Sequence, residues 1–280
     1  MAMTIEDLGA HMAAGVNGID LNRSVDAASR DRLRGALIER QVLCIHGQEL
    51  TPKAYRDAMC IFGKPVARDQ ATQHPEVPEI NILSSDERDT LGDGGRLIAG
   101  AYWHTDDSFR AQPCSITMLY GVEVPPVGGD TQFANMYAAY TDLGPNTKQR
   151  IERLQVVHMY QSSRNVNPVP TLSASKMAKL PPVIHPLVTT HPESGRKALY
   201  MNPNRMEQIV GLAREESDEL LDELIAHATQ LQYQYRHKWR RGDIVIWDNR
   251  CLMHKANADY PASARRVMHR IIIEGAAPMM

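Results

Sequence analysis

The sequence predicts a mainly β fold with flanking helices, a sandwich or jelly-roll barrel, and three observations carry that expectation. Short apolar runs bounded by Gly, Pro or polar clusters recur along the chain and dominate its end. Few stretches show the 3.6-residue periodicity of an amphipathic helix, and no repeat or low-complexity tract is visible. Many short strands with a few helices bury their apolar faces best as packed sheets with helices on one side.

Over residues 27–39, Leu33, Leu37 and Ile38 recur at near-helical spacing among Arg and Asp, which predicts a helix, and residues 41–45 (QVLCI) then form a short buried strand bounded by His46 and Gly47. Thr51 before Pro52 supplies a capping side chain and a first-turn proline, and Tyr55, Met59 and Phe62 continue one helical face to Gly63. From Gly63 to Ala101 the chain is rich in Pro, Asp and Gly, with one strand at 80–83 between two long polar loops. Residues 115–124 read as a strand, Pro125-Pro126 and Gly128-Gly129 as turns, and 136–143 as a helix. Leu220, Leu221, Leu224 and Ile225 line one face of a helix over 215–228, and strands follow at 232–237, 243–247 and 266–274.

The Ser-, Asn- and Pro-rich stretch 162–182 reads as a surface excursion or lid, because a linker there would leave each half with too few strands to close a core. One domain over 1–280 is therefore expected, with substrate loops at about 64–100 and 162–182.

The 280 residues are 43% hydrophobic and 23% charged, enough for a sizeable core. Lys and Arg number 31 against 33 Asp and Glu, so no basic surface points to nucleic acid or an anionic membrane. No apolar run approaches the roughly 20 residues of a membrane-spanning helix. The start, Met-Ala-Met-Thr-Ile-Glu-Asp, is acidic where a signal peptide is basic, and Cys44, Cys60, Cys114 and Cys251 lack CxxC spacing, so a cytoplasmic chain with reduced thiols is expected. Self-association as a homo-oligomer is the expected assembly.

His104 and Asp106 lie two residues apart, so an extended backbone turns both side chains to one side with Thr105 and Asp107 facing away. Alone, the pair fits a His–Asp hydrogen bond as readily as a metal grip. His254, after a strand ending in Trp247-Asp-Asn-Arg, offers a third ligand. Two His and one carboxylate are the facial set of a non-haem Fe(II) site with open positions, whereas zinc more often takes a closed four-ligand or His-rich set. Beyond it, strand alternation puts Arg266, Met268 and Arg270 on one face and Arg265, Val267 and His269 on the other. Two guanidiniums on a buried face call for anions, although both could instead reach solvent or pair with Asp and Glu.

The motifs WHTDDSF, VGGDTQF, HPLVTTHPESGRKALYMN, WDNRCLMHKANADY and RRVMHR resemble, in order and spacing, the Fe(II)- and 2-oxoglutarate-dependent dioxygenases of the taurine and 2,4-dichlorophenoxyacetate (TauD/TfdA) family, and the resemblance runs from Gly15 to Arg270. It implies a double-stranded β-helix (jelly roll) that uses Fe(II), 2-oxoglutarate and dioxygen and releases succinate and CO2. It places the iron ligands at His104, Asp106 and His254, and the partners of the distal 2-oxoglutarate carboxylate at Arg266 and Thr131. Arg270 falls where the family directs a second guanidinium toward the substrate's acidic group or the near carboxylate of 2-oxoglutarate, and the Asp107 backbone N–H faces substrate.

Two positions depart from the taurine-using pattern: Arg68 stands where a sulfonate-binding His is expected, and Gly100 where an Asn is. Taurine is therefore not the expected substrate, and Arg68 is either an anion partner or a solvated loop residue. His74, in the loop before the iron segment, is a further position of interest. The expected substrate is a small organic anion: a sulfonate, sulfate ester, aryloxy acid or other carboxylic acid. The rival readings are a biosynthetic hydroxylase or desaturase of the same family and a non-catalytic jelly-roll sensor of 2-oxoglutarate or metal.

Overall fold

In the computed structural model of the protein, residues 3–68, 72–86, 100–165, 172–261 and 263–280 are described. The strands among them are β1 (Thr4–Asp7), β2 (Ala14–Asn17), β3 (Val42–Ile45), β4 (Asn81–Ser84), β5 (Ile116–Glu123), β6 (Thr131–Asn135), β7 (Gln155–His158), β8 (Val183–Pro186), β9 (Val188–Thr190), β10 (Lys197–Leu199), β11 (Met206–Ile209), β12 (Gln234–His237), β13 (Ile244–Asp248), β14 (Leu252–Ala256) and β15 (Val267–Ile273). The α-helices are α1 (Ala27–Arg40), α2 (Pro52–Met59), α3 (Met136–Thr141), α4 (Pro145–Ile151), α5 (Ala174–Met177) and α6 (Arg214–Ala228).

A seven-stranded sheet runs in the order β1-β2-β3-β13-β5-β15-β4, antiparallel throughout except for β2 beside β3. It faces the three-stranded sheet β12-β6-β14, and Val42, Leu119, Val245, Trp247 and Met268 of the first sheet pack with Phe133 and Leu252 of the second. This is the jelly-roll interior. Alternation along β13 explains its unbroken apolar run: Val245 and Trp247 point inward, while Ile244 and Ile246 point outward onto α1 and α2. On that outer side Leu33, Leu37, Tyr55 and Met59 join Leu43, Ile45, Met118 and Ile271 in a second core.

The expectation of helices on one side is corrected, because α3 and α6 cover the other. Met136, Tyr137, Leu220, Leu221 and Leu224 pack there with Ala134 of β6, Met253 of β14, Val156, Leu199 and Met206. Smaller strands β7, β8 and β11, and the pair β9 and β10, give this side apolar surface of its own, which needs its own cover.

The helix signals hold locally. Asp26 caps α1 by accepting from Ser29 N (2.9 Å), and Gln41 ends it in the left-handed region (φ 62°). Thr51 caps α2, which stops at Met59 and continues to Phe62 as one 3-10 turn. A second correction concerns 232–237: Leu231–Tyr233 form a 3-10 turn, and β12 begins only at Gln234. Of the two expected substrate loops, 69–71, 87–99 and 166–171 lie outside the described residues. The second loop is pinned at its start, where Arg164 pairs with Asp218 and Asp222 of α6.

Candidate active site

His104 and His254 are joined by backbone hydrogen bonds in both directions (3.0 and 2.8 Å), an isolated bridge that sets their imidazoles 4.1 Å apart between ring centres. The segment beyond His104 is not the extended strand expected. Thr105 anchors its hydroxyl on the Asn249 carbonyl (2.8 Å), the chain turns, and Asp107 takes a left-handed φ of 58°. Asp106 still meets both imidazoles: its Oδ1 lies 3.7 Å from His104 Nε2 and its Oδ2 3.7 Å from His254 Nε2. One donor atom from each of the three falls within 4.8 Å of the others.

The surroundings set the protonation that a cation needs. Burial pulls His104 below the ordinary imidazole value despite the opposing pull of Asp106 and the Tyr102 carbonyl. Burial, and then His104, hold His254 down to about 3. For Asp106 burial acts upward, but His254, Arg270, His104 and the Thr117 hydroxyl outweigh it and hold the carboxyl to about 2. Two neutral imidazoles and a carboxylate therefore converge at neutral pH. His104 Nδ1 bonds the Tyr102 carbonyl (2.7 Å), which fixes the ring and leaves Nε2 for an ion. The donor set fits Fe(II).

Arg266 just precedes β15, is 7% exposed, and donates from Nε to the Gly129 carbonyl (3.2 Å), while its Nη2 is buried with no hydrogen-bond partner among the described residues. Burial lowers its pKa against Tyr260 and Asp130. A buried guanidinium nitrogen without an acceptor is the feature a carboxylate ligand would satisfy. Thr131, two residues beyond Gly129, accepts from Trp239 Nε1 (3.0 Å), so its hydroxyl hydrogen remains available to donate. The left-handed φ of Gly128 (75°) belongs to this turn, where a Cβ would stand 2.3 Å from the Asp259 carbonyl oxygen.

Arg270 places Nη1 3.8 Å from Asp106 Oδ1, and Met268 between it and Arg266 points into the inter-sheet core, as the expected alternation requires. Arg265 is exposed and pairs with Asp86 and Glu123. Arg68 is neither solvated nor idle: Nε and Nη2 both meet Asp107 Oδ2 (3.2 and 3.1 Å), and Arg110 Nε approaches the same oxygen at 3.5 Å. The Asp107 side chain thus faces Arg68 and Arg110. His74 sits edge-on to His269, on the face of β15 opposite Arg270, and is not brought to the triad.

Some residues at the site were not singled out from the sequence. Thr117 and Asn249 brace Asp106, and Arg205, 8% exposed, packs over Tyr160 (4.6 Å) and Phe109 (5.2 Å) while donating to the Tyr160 carbonyl. The guanidinium is close enough to His104 to help depress its pKa. No ion pair joins it to a carboxylate among the described residues, so it brings a largely buried positive charge to the site. Gly100 accounts for one departure from the taurine pattern: at its φ of 75° a Cβ would stand 2.8 Å from His104 Cε1. A cavity of about 570 Å³ lies elsewhere, between the C-terminal segment and residues such as Phe62, Thr190 and Glu193, and contains none of the triad.

Comparisons with known proteins place the chain in a family. Along 96% of its length the chain is 34% identical to the alpha-ketoglutarate-dependent 2,4-dichlorophenoxyacetate dioxygenase of Cupriavidus pinatubonensis, covering 97% of that protein. It is also 34% identical to pentalenolactone F synthase of Streptomyces arenae, with 94% and 92% of the two chains covered. The crystal structure of AAD-2 in complex with Mn(II) and N-oxalylglycine superimposes with a TM-score of 0.85 at 31% identity, each chain covered in full. Since residues 4–272 also match the model of the taurine catabolism dioxygenase TauD, TfdA family, the chain belongs to that family and is an Fe(II)- and 2-oxoglutarate-dependent dioxygenase.

Proposed function

We propose that the protein hydroxylates a small organic anion, such as an aryloxy or other carboxylic acid, a sulfonate or a sulfate ester, with His104, Asp106 and His254 as the iron ligands. Bound Fe(II) supplies the dioxygen activation that couples decarboxylation of 2-oxoglutarate, to succinate and CO2, with insertion of the second oxygen atom into a substrate C–H bond. Arg266 and Thr131 hold the distal carboxylate of 2-oxoglutarate, and the burial of Arg266 excludes competing water. Arg270 and Arg205 meet the substrate anion or the near carboxylate. Asp107 presents its backbone N–H, and Arg68 acts on the site through the Asp107 carboxylate. The observation that carries the reading is the convergence of two neutral imidazoles and one carboxylate beside buried guanidiniums, an arrangement costly without anions to meet it.

The test measures succinate formation across a panel of organic anions and their neutral amides, with Fe(II) and ascorbate. Acids should be turned over and amides much less so. Equal use of an acid and its amide removes the anionic-substrate reading, and near-normal oxygen uptake by His104→Ala, Asp106→Ala or His254→Ala removes the ligand assignment.

The likeness to pentalenolactone F synthase favours a second reading, in which the product is a stable oxidised metabolite; product analysis separates the two. A non-catalytic sensor is set aside, because the chain is an enzyme of this family. One catalytic domain over 1–280, residence in the cytoplasm and homo-oligomeric assembly belong to the same proposal. They are supported by the family match over 4–272, the four free thiols, and exposed Ile184, Val210 and Leu231. No helix among the described residues is long and apolar enough to cross a membrane. Limited proteolysis, fractionation and light scattering test these three points.

A further inference from the structure

At the opposite end of β13 from the triad, a second set of side chains converges. Asp243 immediately precedes β13 and Asn249, which braces Asp106, immediately follows it, so the two sites lie about 20 Å apart along the strand. Ile244 pairs with Ile45, which sets His46 across from Asp243, and Cys44 lies two residues before His46, turned to the inter-sheet side. His46 Nδ1 is 2.8 Å from Asp243 Oδ1 and 3.5 Å from Cys44 Sγ. From the facing sheet, the end of β12 brings His237 Nε2 to 3.2 Å from Asp243 Oδ2 and 3.9 Å from the same sulfur.

We propose that Cys44, His46 and Asp243 form a second metal site, for a zinc-class divalent cation, with His237 closing its fourth side. The donor atoms of the first three lie within 4.8 Å of one another. Tetrahedral zinc with its usual sulfur and nitrogen bond lengths separates such donors by about 3.5 Å, and the sulfur–nitrogen distances are 3.5 Å, at that spacing, and 3.9 Å, slightly beyond it. One thiolate and one carboxylate neutralise a divalent ion, so the filled site adds no net charge to a place where Cys44, His237 and Asp243 are buried.

Neighbouring groups hold the donors in place. The Arg240 backbone N–H holds Asp243 Oδ2 (2.9 Å), which leaves Oδ1 on the Cys44–His46 side. The Tyr235 hydroxyl meets His237 Nδ1 (3.3 Å), which turns Nε2 inward. His46 is the partly exposed member, about one-third open, and gives an ion its way in. Because β3 and β13 belong to one sheet and β12 to the other, a bound ion ties the two sheets together far from the reacting centre. Its role is structural.

Cobalt(II) distinguishes this site from the triad, since only this one has sulfur. The full chain, stripped of metal with a chelator, is titrated with Co(II) while the near-ultraviolet thiolate-to-cobalt charge-transfer band and the bound metal are followed. The wild type should bind two equivalents and develop the band. A His104→Ala/His254→Ala double variant should bind one and keep the band, while Cys44→Ser and His46→Ala should each bind one and lose it. His46→Ala guards against misfolding of the buried Cys44 variant, and the thermal unfolding temperature is read for both. A wild type that binds a single equivalent with no charge-transfer band overturns the proposal and leaves Asp243 as a carboxylate hydrogen-bonded by two histidines. Retention of the band in both Cys44→Ser and His46→Ala overturns it equally.

Discussion

Thr117 donates its hydroxyl to Asp106 Oδ2 at 2.7 Å, and the Thr117 hydroxyl oxygen in turn accepts from Asn249 Nδ2 at 2.7 Å. Asn249 is fixed in turn by Trp247 Nε1 (3.0 Å), so the carboxylate of the triad stands at the end of a buried hydrogen-bonded chain rooted in β13. Thr117→Val keeps the volume and breaks that chain. Loss of such an outer partner typically weakens metal binding roughly 10–100-fold, and the Fe(II) dissociation constant should rise accordingly while thermal unfolding stays cooperative. Unchanged Fe(II) affinity would show that Asp106 is positioned by its backbone alone.

Arg266→Met should raise the 2-oxoglutarate requirement strongly and the substrate requirement little. Loss of a charge-assisted contact of about 1.5–3 kcal/mol corresponds to roughly a 10- to 150-fold change. The same variant should be no less stable than wild type in the absence of 2-oxoglutarate, because it removes a buried guanidinium whose Nη2 has no acceptor among the described residues. Calorimetry with and without 2-oxoglutarate checks both halves. Arg265→Ala, at an exposed pair, should be mild in every respect.

Gly100→Ala tests the close approach behind His104. The added methyl meets His104 Cε1 at 2.8 Å and the backbone is left at φ 75°, while the imidazole cannot swing away without giving up the Tyr102 carbonyl. Turnover should fall several-fold with weaker Fe(II) binding, and unfolding should shift by about 1 kcal/mol. Wild-type iron affinity in this variant would mean that the loop yields instead.

Asp248 supplies the pH prediction. Burial acts to raise its pKa, but His191 (3.0 Å) and the Arg250 guanidinium (2.6 Å) outweigh it and hold the carboxyl to about 2. A folded-state pKa below the unfolded value of about 4 means that ionised Asp248 contributes its stability in full above that pH and loses it as the pH falls toward 2. The contribution is about 2 kcal/mol. Urea unfolding of wild type and Asp248→Asn should therefore differ most near neutrality, with the gap narrowing from pH 5 downward. A gap constant with pH would assign the effect to packing.

What could be read from the chain follows from the range over which each signal acts. Helices α1, α2 and α6 and strands β3, β5, β13 and β15 were legible because caps and apolar periodicity repeat over a turn or several residues. Strands such as β9 (Val188–Thr190) and β10 (Lys197–Leu199) are too short to show a period and exist because they pair with each other. Helix α4 carried one signal that could have found it, Pro145 at its first position, but Gly144 provides no side-chain cap.

The donor types of His104, Asp106 and His254, and the expectation that Arg266 and Arg270 share a strand face, were legible in the chain because residue type and two-residue alternation are local properties. No local signal foretold that His254 bridges His104, that Arg68 pairs with Asp107, that Arg205 is buried over Phe109 and Tyr160, or that Cys44, His46 and Asp243 converge. These contacts join segments far apart in the chain. Their partners are chosen by sheet register and by the packing of two cores against one interior, and neither leaves a trace in local periodicity.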